Sequence, residues 1–456
     1  MKKILLAVAC CAMTLLAQAN PAHKVKINDG LTVSVEACSE SIFRIKVSPR
    51  KDFTESLMER YELIKTDWSE VKTDISDKGG VWTLKTPEYS LAINKKTGVM
   101  TVKDAKGGKV IREVRFLPEK EGLCGEMRSF INEKYADLKV ADNGGGIIGD
   151  DNGKFGEVDK HEIPAADAVS ILSISMEDGE RFYGGGSTSR DHIQHRGEFL
   201  RMWTTYQQTE IPMPFMMSSR GWGVYNNSTR KSFFDIGNRR KDRFNIVNTF
   251  DEADFFLMMG KDMPAILNEY TLVTGRTYVL PKWAYGLCFG PNMREEQFDI
   301  LNDAVRFRQF DVPCDVFWLE PQWMEKRYDF STKKKWNYDR FSPEPYWLQD
   351  QYPKTMHNRL FIGKLRSMGF HLGLWLCEEY DLSIQEEDII AERTGGKLSG
   401  QEHWMDHLTV FMDQGVEGFK LDPARTIDNH TNWEYYNGRT DKEMHNLNQV
   451  LLPKQM

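Results

Sequence analysis

The stretch Gly415-Val-Glu-Gly-Phe-Lys-Leu-Asp422 decides how this chain is read. A glycine ends a helical pattern, a short apolar strand follows, and an aspartate stands directly at its end. The same grammar appears upstream in Met368-Gly-Phe-His-Leu-Gly-Leu-Trp-Leu376, after which comes Glu378, and in Asp315-Val-Phe-Trp-Leu319, after which comes Glu320. Between and around these strands lie helical periods: Phe298, Leu301 and Val305 at i, i+3 and i+7; Phe361, Leu365 and Met368 stopping at Gly369; and Trp404, Leu408 and Phe411 ending at Gly415. The third of these opens with a capping-box spacing, Ser399-x-x-Glu402. A last helix carries Met444, Leu447 and Leu451, and Trp283 to Phe289 is the candidate first strand. Strands apolar on both faces, alternating with helices, are those of a parallel sheet covered on both sides. Four such β/α units predict the first half of a (β/α)8 TIM barrel over residues 281–456. A doubly wound open sheet is the alternative, but no GxGxxG or phosphate loop follows the first strand.

Upstream of Pro281 the pattern is different. Leu31-Thr-Val-Ser-Val35, Phe43-Arg-Ile-Lys-Val47, Val81-Trp-Thr-Leu84 and Tyr89-Ser-Leu-Ala-Ile93 alternate with period two between turn residues. That predicts an all-β, antiparallel β-sandwich over residues 20–280, so the fold class is multidomain, β followed by α/β. The Gly- and Asp-rich run 142–156 reads as a surface loop, with a calcium site there a minor alternative.

Bulk properties narrow the function. The 456 residues exceed one ordinary domain, and 12% aromatic with 28% charged residues supports packed cores rather than disorder. A formal charge of -7 with no basic run argues against nucleic acid as a partner. Met1-Lys2-Lys3, the apolar stretch Ile4 to Ala17 and Ala17-Gln-Ala19 form the three regions of a signal peptide, residues 1–19, so export to the periplasm or outside the cell is expected. Lipoprotein processing before Cys10 would leave too short an apolar region, and no other segment is expected to span a membrane. Cys38, Cys124, Cys288, Cys314 and Cys377 are odd in number and lack CxxC spacing, so they predict neither a disulfide framework nor a metal site, and most are read as buried.

In a barrel, groups at the C-terminal ends of strands face the substrate. Glu320, Glu378 and Asp422 each take that position, and Trp318 and Trp375 lie on the same strands. Any one such acid is as well read as a cap on the next element; three at consecutive strand ends favour chemistry. The long connection from Pro321 to His357 holds Trp323, Tyr328, Phe330, Trp336, Tyr338, Phe341, Tyr346, Trp347 and Tyr352. Aromatic faces suit the C–H faces of sugars, and Trp323 is the candidate platform, although these rings equally suit a small core within the loop.

Several motifs together resemble glycoside hydrolase family 31. Arg181-Phe-Tyr-Gly-Gly-Gly-Ser187, Ile211-Pro-Met-Pro-Phe215 and Ser219-Arg-Gly-Trp-Gly-Val224 are similar to the family's FYGLGE, IPF and RGYGV run. Thr271-Leu-Val-Thr-Gly-Arg276 with Pro281-Lys-Trp-Ala-Tyr-Gly286 resembles its entry into the barrel, and Phe419-Lys-Leu-Asp422 resembles the FKxD nucleophile strand of its α-xylosidase-like branch. The resemblance implies a retaining α-glycoside hydrolase without cofactor or metal, acting on an α-linked oligosaccharide or glycan of glucosyl, xylosyl, galactosyl or N-acetylgalactosaminyl type. It implies Asp422 as nucleophile and Glu320 at a substrate-binding position. Lys420, two residues earlier on the same strand face, is placed to keep Asp422 charged, with an ion pair inside the barrel that has no catalytic role as the alternative. Trp318, Trp323, Trp375, Glu378 and Arg425 complete the expected substrate-binding set. Two departures bear on specificity. Asp422-Pro-Ala-Arg425 carries a cation where the family has an acid, and Glu320 replaces a shorter aspartate, so an N-acetylhexosamine or another unusual sugar becomes a candidate. The family's acid/base aspartate comes from a later strand, so it is expected beyond Met456, which would leave this chain with half a catalytic barrel and no activity of its own. The competing readings are a non-catalytic carbohydrate-binding protein of the same fold and an exported sandwich scaffold.

Overall fold

A computed structural model describes residues 20–28, 30–136, 162–188, 192–204, 211–291, 296–341, 360–378, 380–422 and 434–456. The signal segment, the 142–156 loop, Tyr346, Trp347, Tyr352 and Arg425 lie outside the described residues.

Period-two strands with one apolar face stack in pairs, and the N-terminal half does so. A seven-stranded sheet runs in spatial order His23–Lys26, Thr32–Ala37, Ile42–Ser48, Ala253–Met259, Trp222–Asn226, Ile211–Ser218 and Phe182–Ser187. A nine-stranded sheet runs Phe199–Met202, Ser232–Ile236, Arg243–Asn248, Ser170–Ser175, Lys109–Leu117, Met100–Asp104, Tyr89–Asn94, Val81–Lys85 and Asp74–Lys78. Every neighbouring pair in both is antiparallel. Val33, Val35, Ile45, Leu91, Val102, Ile174, Val224, Ile246 and Leu257 fill the space between the sheets. Glycine is required at Gly184 and Gly186 in the motif strand: both have positive φ, and a Cβ there would collide with the backbone of the Ile211–Ser218 strand.

The half is not all-β, which corrects the sequence reading. Helices Gly122–Lys134 and Met263–Thr274 lie against it. The second was legible: Asp262 accepts from the Ala265 amide at 2.9 Å, a proline sits in the first turn, and Ile266, Tyr270 and Val273 are buried at i, i+4 and i+7.

In the C-terminal half four parallel strands pair in chain order: β1 (Cys288–Phe289), β2 (Val316–Leu319), β3 (His371–Leu376) and β4 (Gly418–Leu421). This is part of a TIM barrel rather than a doubly wound sheet. The first strand is shorter than expected, because Lys282–Tyr285 forms a 3-10 turn, in which Trp283 stacks on His371 with ring centroids 4.1 Å apart. The helix Gln297–Gln309 is present but turned: Ile300 and Ala304 are buried, while Phe298 is 67% exposed. Of the predicted face, Leu301 packs partly buried against the core, while Phe298 and Val305 face outward. Phe361 and Leu365 are buried as expected, and Gly369 ends their helix at φ +77°. An unforeseen helix, Ser383–Thr394, follows β3. The expected capping box at Ser399 does not form; Ser399 bonds the carboxylate of Asp388 on that extra helix, and the segment burying Trp404, Leu408 and Phe411 is a 3-10 turn followed by the short helix Thr409–Asp413. The final helix Asp441–Gln455 buries Met444, Leu447 and Leu451 and has its own capping box, Thr440 with Glu443.

The two halves share core. Leu57 and Tyr61, from the sandwich side, belong to the cluster beneath the parallel sheet. Tyr61 donates to Glu387 Oε1 at 2.7 Å and accepts from Asn437 Nδ2 at 2.7 Å, while Trp203 stacks on His445 of the last helix at 4.0 Å. The parallel sheet is thereby held on a sandwich base.

Candidate active site

Alternation along β2, β3 and β4 sends Phe317, Leu319, Leu372 and Leu374 toward the helices. The opposite face carries Trp318 and Glu320, then Gly373, Trp375 and Cys377, then Gly418, Lys420 and Asp422. Trp318 is in register with Gly373 and Gly418 on the next two strands. Its indole lies across both: a Cβ at Gly373 would fall 2.0 Å from the ring, and one at Gly418 3.0 Å from it. The two glycines therefore let one tryptophan fill a layer of the barrel interior, directly beneath the layer that holds the charged groups.

That upper layer is a compact cluster. Lys420 Nζ donates to Glu320 Oε1 at 3.1 Å and lies 3.6 Å from Asp422 Oδ2. The buried Trp375 donates its indole N–H to the same Oδ2 at 2.6 Å, and the Asp422 amide donates to Leu376 O at 3.1 Å. Asp422 retains 31% side-chain exposure, so it is held on one oxygen by a dipole and a cation yet open to a ligand. Such an arrangement aims the carboxylate, as a nucleophile requires. Cys377, on the same face, is no competitor, because burial pushes its thiol up to about 12 and its Sγ donates to Asp329 O at 3.3 Å.

Other expected site residues are placed differently. Trp323 is fully buried, donates to Trp375 O at 2.8 Å and meets Trp336 and Phe411 edge-on. Its reading as a sugar-facing platform is corrected: it is core beneath Trp375, and Trp336 and Phe341 of the same connection are buried with it in the core of the parallel sheet, not in a separate core of the loop. Glu378 is also buried, its carboxylate accepting from the Tyr380 amide, so it caps the turn after β3 instead of facing a substrate. Sequence reasoning missed Lys334, a buried lysine that donates to Ser331 O at 2.7 Å. Burial lowers its pKa, opposed by the nearby carboxylates Glu378 and Asp329. Ser331 and Asp329 are local, but Cys377 and Glu378 come from the end of β3, and local sequence does not signal that they lie beside it. Four of the five described cysteines are buried, with Cys288 exposed.

Comparison with known families gives two matches in chain order. Residues 32–235 match the glycosyl hydrolase 31 N-terminal galactose mutarotase-like domain, and residues 277–456 match the family 31 TIM-barrel domain. The chain belongs to glycoside hydrolase family 31. Relatives include an α-xylosidase of Emericella nidulans, 23% identical over 342 residues, covering 68% of this chain and 41% of the relative. The α-xylosidase XylQ of Lactiplantibacillus pentosus is 24% identical, over 60% of this chain and 38% of its own length. Among solved structures, a family 31 dextranase of Flavobacterium johnsoniae complexed with glucose superposes with a TM-score of 0.66 at 17% identity, covering 96% of this chain and 52% of that one. A family 31 α-xylosidase from a soil metagenome complexed with xylose gives 0.63 at 15% identity, covering 94% and 60%. These likenesses establish the fold. The chain spans about two fifths of the length of the curated relatives and about half to three fifths of the structural ones.

Proposed function

We propose that this family 31 α-glycosidase chain carries the nucleophilic half of a retaining site, with Asp422 attacking the anomeric carbon of an α-linked glycan. The observation that carries the reading is the single-sided restraint on Asp422, whose Oδ2 takes both the Trp375 N–H and the Lys420 charge. Retention requires such a carboxylate to form a glycosyl ester that water later cleaves. Trp375 acts here as a positioning residue. Trp375→Phe keeps an aromatic side chain but removes the N–H, and is expected to slow labelling of Asp422 by an activated glycosyl fluoride roughly 10- to 100-fold, the scale of a lost hydrogen bond to a charged group. An unchanged labelling rate, read by intact-protein mass spectrometry, would remove Trp375 from the mechanism.

Sugar identity rests on the two departures. Glu320, tied to Lys420, and Arg425 predict turnover of an α-N-acetylhexosaminide or α-galactoside at least as readily as maltose, while the xylosidase-like strand keeps α-xyloside in the set. A panel of aryl α-glycosides on the full-length enzyme ranks them, and a clear α-glucoside preference means that the departures are neutral. The charged start, apolar run and Ala17-Gln-Ala19 support export through a signal peptide. No helix among the described residues is long and apolar enough to cross a membrane. Secreted material should begin at Asn20 on N-terminal sequencing; retention of Met1 in the mature protein would refute export by this route.

A further inference from the structure

The connection after β2 closes on itself and hooks over the end of β3. Met324 and Trp336 form an antiparallel bridge, Asn337 N donates to Trp323 O at 2.7 Å, and Glu325 N donates to Lys335 O at 2.9 Å. Two bonds fix this loop to the strand end that carries Trp375. Trp323 donates its indole N–H to Trp375 O at 2.8 Å, and Cys377 Sγ donates to Asp329 O at 3.3 Å. Between these two attachment points in the chain stands Tyr328, whose partly buried ring meets the Trp375 indole at 69° with centroids 5.5 Å apart.

Tyr328 is itself held at some cost. Its backbone is left-handed, at φ +55°, where glycine or asparagine sits more easily. The Arg327 guanidinium lies over its ring, 4.7 Å from the centroid, and donates to its hydroxyl at 3.2 Å. A bulky residue kept in a costly conformation points to a use for its side chain, and what this ring reaches is the indole that aims Asp422. An indole can settle in two orientations about its outer torsion. Turned by half a rotation, Trp375 would carry its N–H away from Asp422 Oδ2, which it now meets at 2.6 Å. Edge-to-face packing against a fixed ring favours one of the two. We propose that Tyr328 is a positioning residue of the retaining site: it holds the Trp375 indole with its N–H on Asp422, and through it aims the nucleophile. The inference rests on Asp422 being that nucleophile, and it extends the site from the strand ends to the loop after β2.

Two readouts on the 456-residue chain test this. One is labelling by ring-fluorinated α-glucosyl and α-xylosyl fluorides, followed by intact-protein mass spectrometry; the other is solvent exchange of the Trp375 indole proton by NMR, its resonance being the one that disappears in Trp375→Phe. Tyr328→Asn, which suits the left-handed backbone and removes the ring, should slow labelling about 3- to 10-fold, the scale of one aromatic pair, and speed indole exchange about threefold or more. Tyr328→Phe keeps the ring and should stay within about twofold of the parent in both. In a Trp375→Phe background, Tyr328→Asn should change labelling by less than about twofold, because the N–H it would misplace is already gone. A merely structural role predicts equal slowing in both backgrounds. Should Tyr328→Asn lose its cooperative melting transition, Tyr328→Leu, which fills part of the space without a ring, takes its place with the same expectation. Unchanged labelling in a folded variant without the ring, slowing that persists in the Trp375→Phe background, or indole exchange indifferent to the ring each overturns the proposal. A parent chain that takes no label counts against Asp422 as nucleophile, and the exchange rates then decide alone whether Tyr328 holds the indole.

Discussion

Treatment with a fluorinated, mechanism-based α-glycosyl fluoride of the preferred sugar is expected to leave a covalent sugar on Asp422 and on no other residue. Fluoride departs without a proton, so formation of the glycosyl ester needs only the nucleophile and its aim, the two parts that the proposal assigns to Asp422 and Trp375. The geometry also names the attacking atom. Among the described residues the contacts of the carboxylate fall on Oδ2, from Trp375 at 2.6 Å and Lys420 at 3.6 Å, which leaves Oδ1 to form the bond to carbon. As the bond forms, negative charge leaves the carboxylate and the N–H and ammonium keep the remaining oxygen solvated. Asp422→Ala in a catalytically complete enzyme should lower kcat by about 10⁵-fold or more, the scale on which deletion of a covalent nucleophile acts. Peptide mapping that finds the label on Glu320, or a substantial rate left in Asp422→Ala, would dismiss the assignment. The non-catalytic reading predicts sugar binding by calorimetry with no label at all.

How much of this was legible follows from the range of each signal. Strand ends were readable to the residue: His371–Leu376 and Gly418–Leu421 are apolar, follow glycine-stopped helices and place Trp375, Lys420 and Asp422 on one face by alternation alone. What failed depended on partners distant in sequence. Ser399 and Glu402 have the spacing of a capping box, yet Asp388, on a helix not foreseen, takes the Ser399 hydroxyl and amide. That helix was obscured because the charges of Ser383–Thr394 hide its short apolar face, and two of the buried groups are the acids Glu386 and Asp388. Trp323 and Glu378 looked exposed to substrate because position after a strand says which end of a barrel a residue occupies but not how deeply the next segment folds over it. Both are covered. The FKLD motif was read as a nucleophile with a helpful lysine; that the same lysine also holds Glu320, a hundred residues earlier, required the sheet register.

A polypeptide of these 456 residues, purified alone, is expected to show no measurable turnover of natural α-glycosides while still accepting activated fluorides at Asp422. A sugar or alkoxide leaving group needs a proton from a second carboxylic acid about 5 to 5.5 Å from the nucleophile, and withholding general acid catalysis costs about 10²- to 10⁴-fold. The described strand ends offer two other carboxylates. Glu320 has Oε1 engaged as an acceptor from Lys420, and Glu378 is buried against the Tyr380 amide. Neither is set to donate to a departing oxygen. Among the described residues the sheet has four strands where a closed barrel has eight, and Phe298, Phe310, Tyr278 and Val279, each at least 67% exposed, lie on or near its first unit. Exposed apolar surface beside parallel edge strands predicts self-association as concentration rises, visible by light scattering. Association also provides the instructive exception, since two half-barrels that paired edge to edge could place a carboxylate of one across from Asp422 of the other. Release of reducing sugar from a natural α-glycoside, abolished by Asp422→Ala, would show that pairing or an early carboxylate such as Glu378 supplies the acid. If that turnover rose with the square of protein concentration, pairing would be the cause; if it rose linearly, the acid would lie within one chain and the assignment of Glu378 to a structural cap would be wrong.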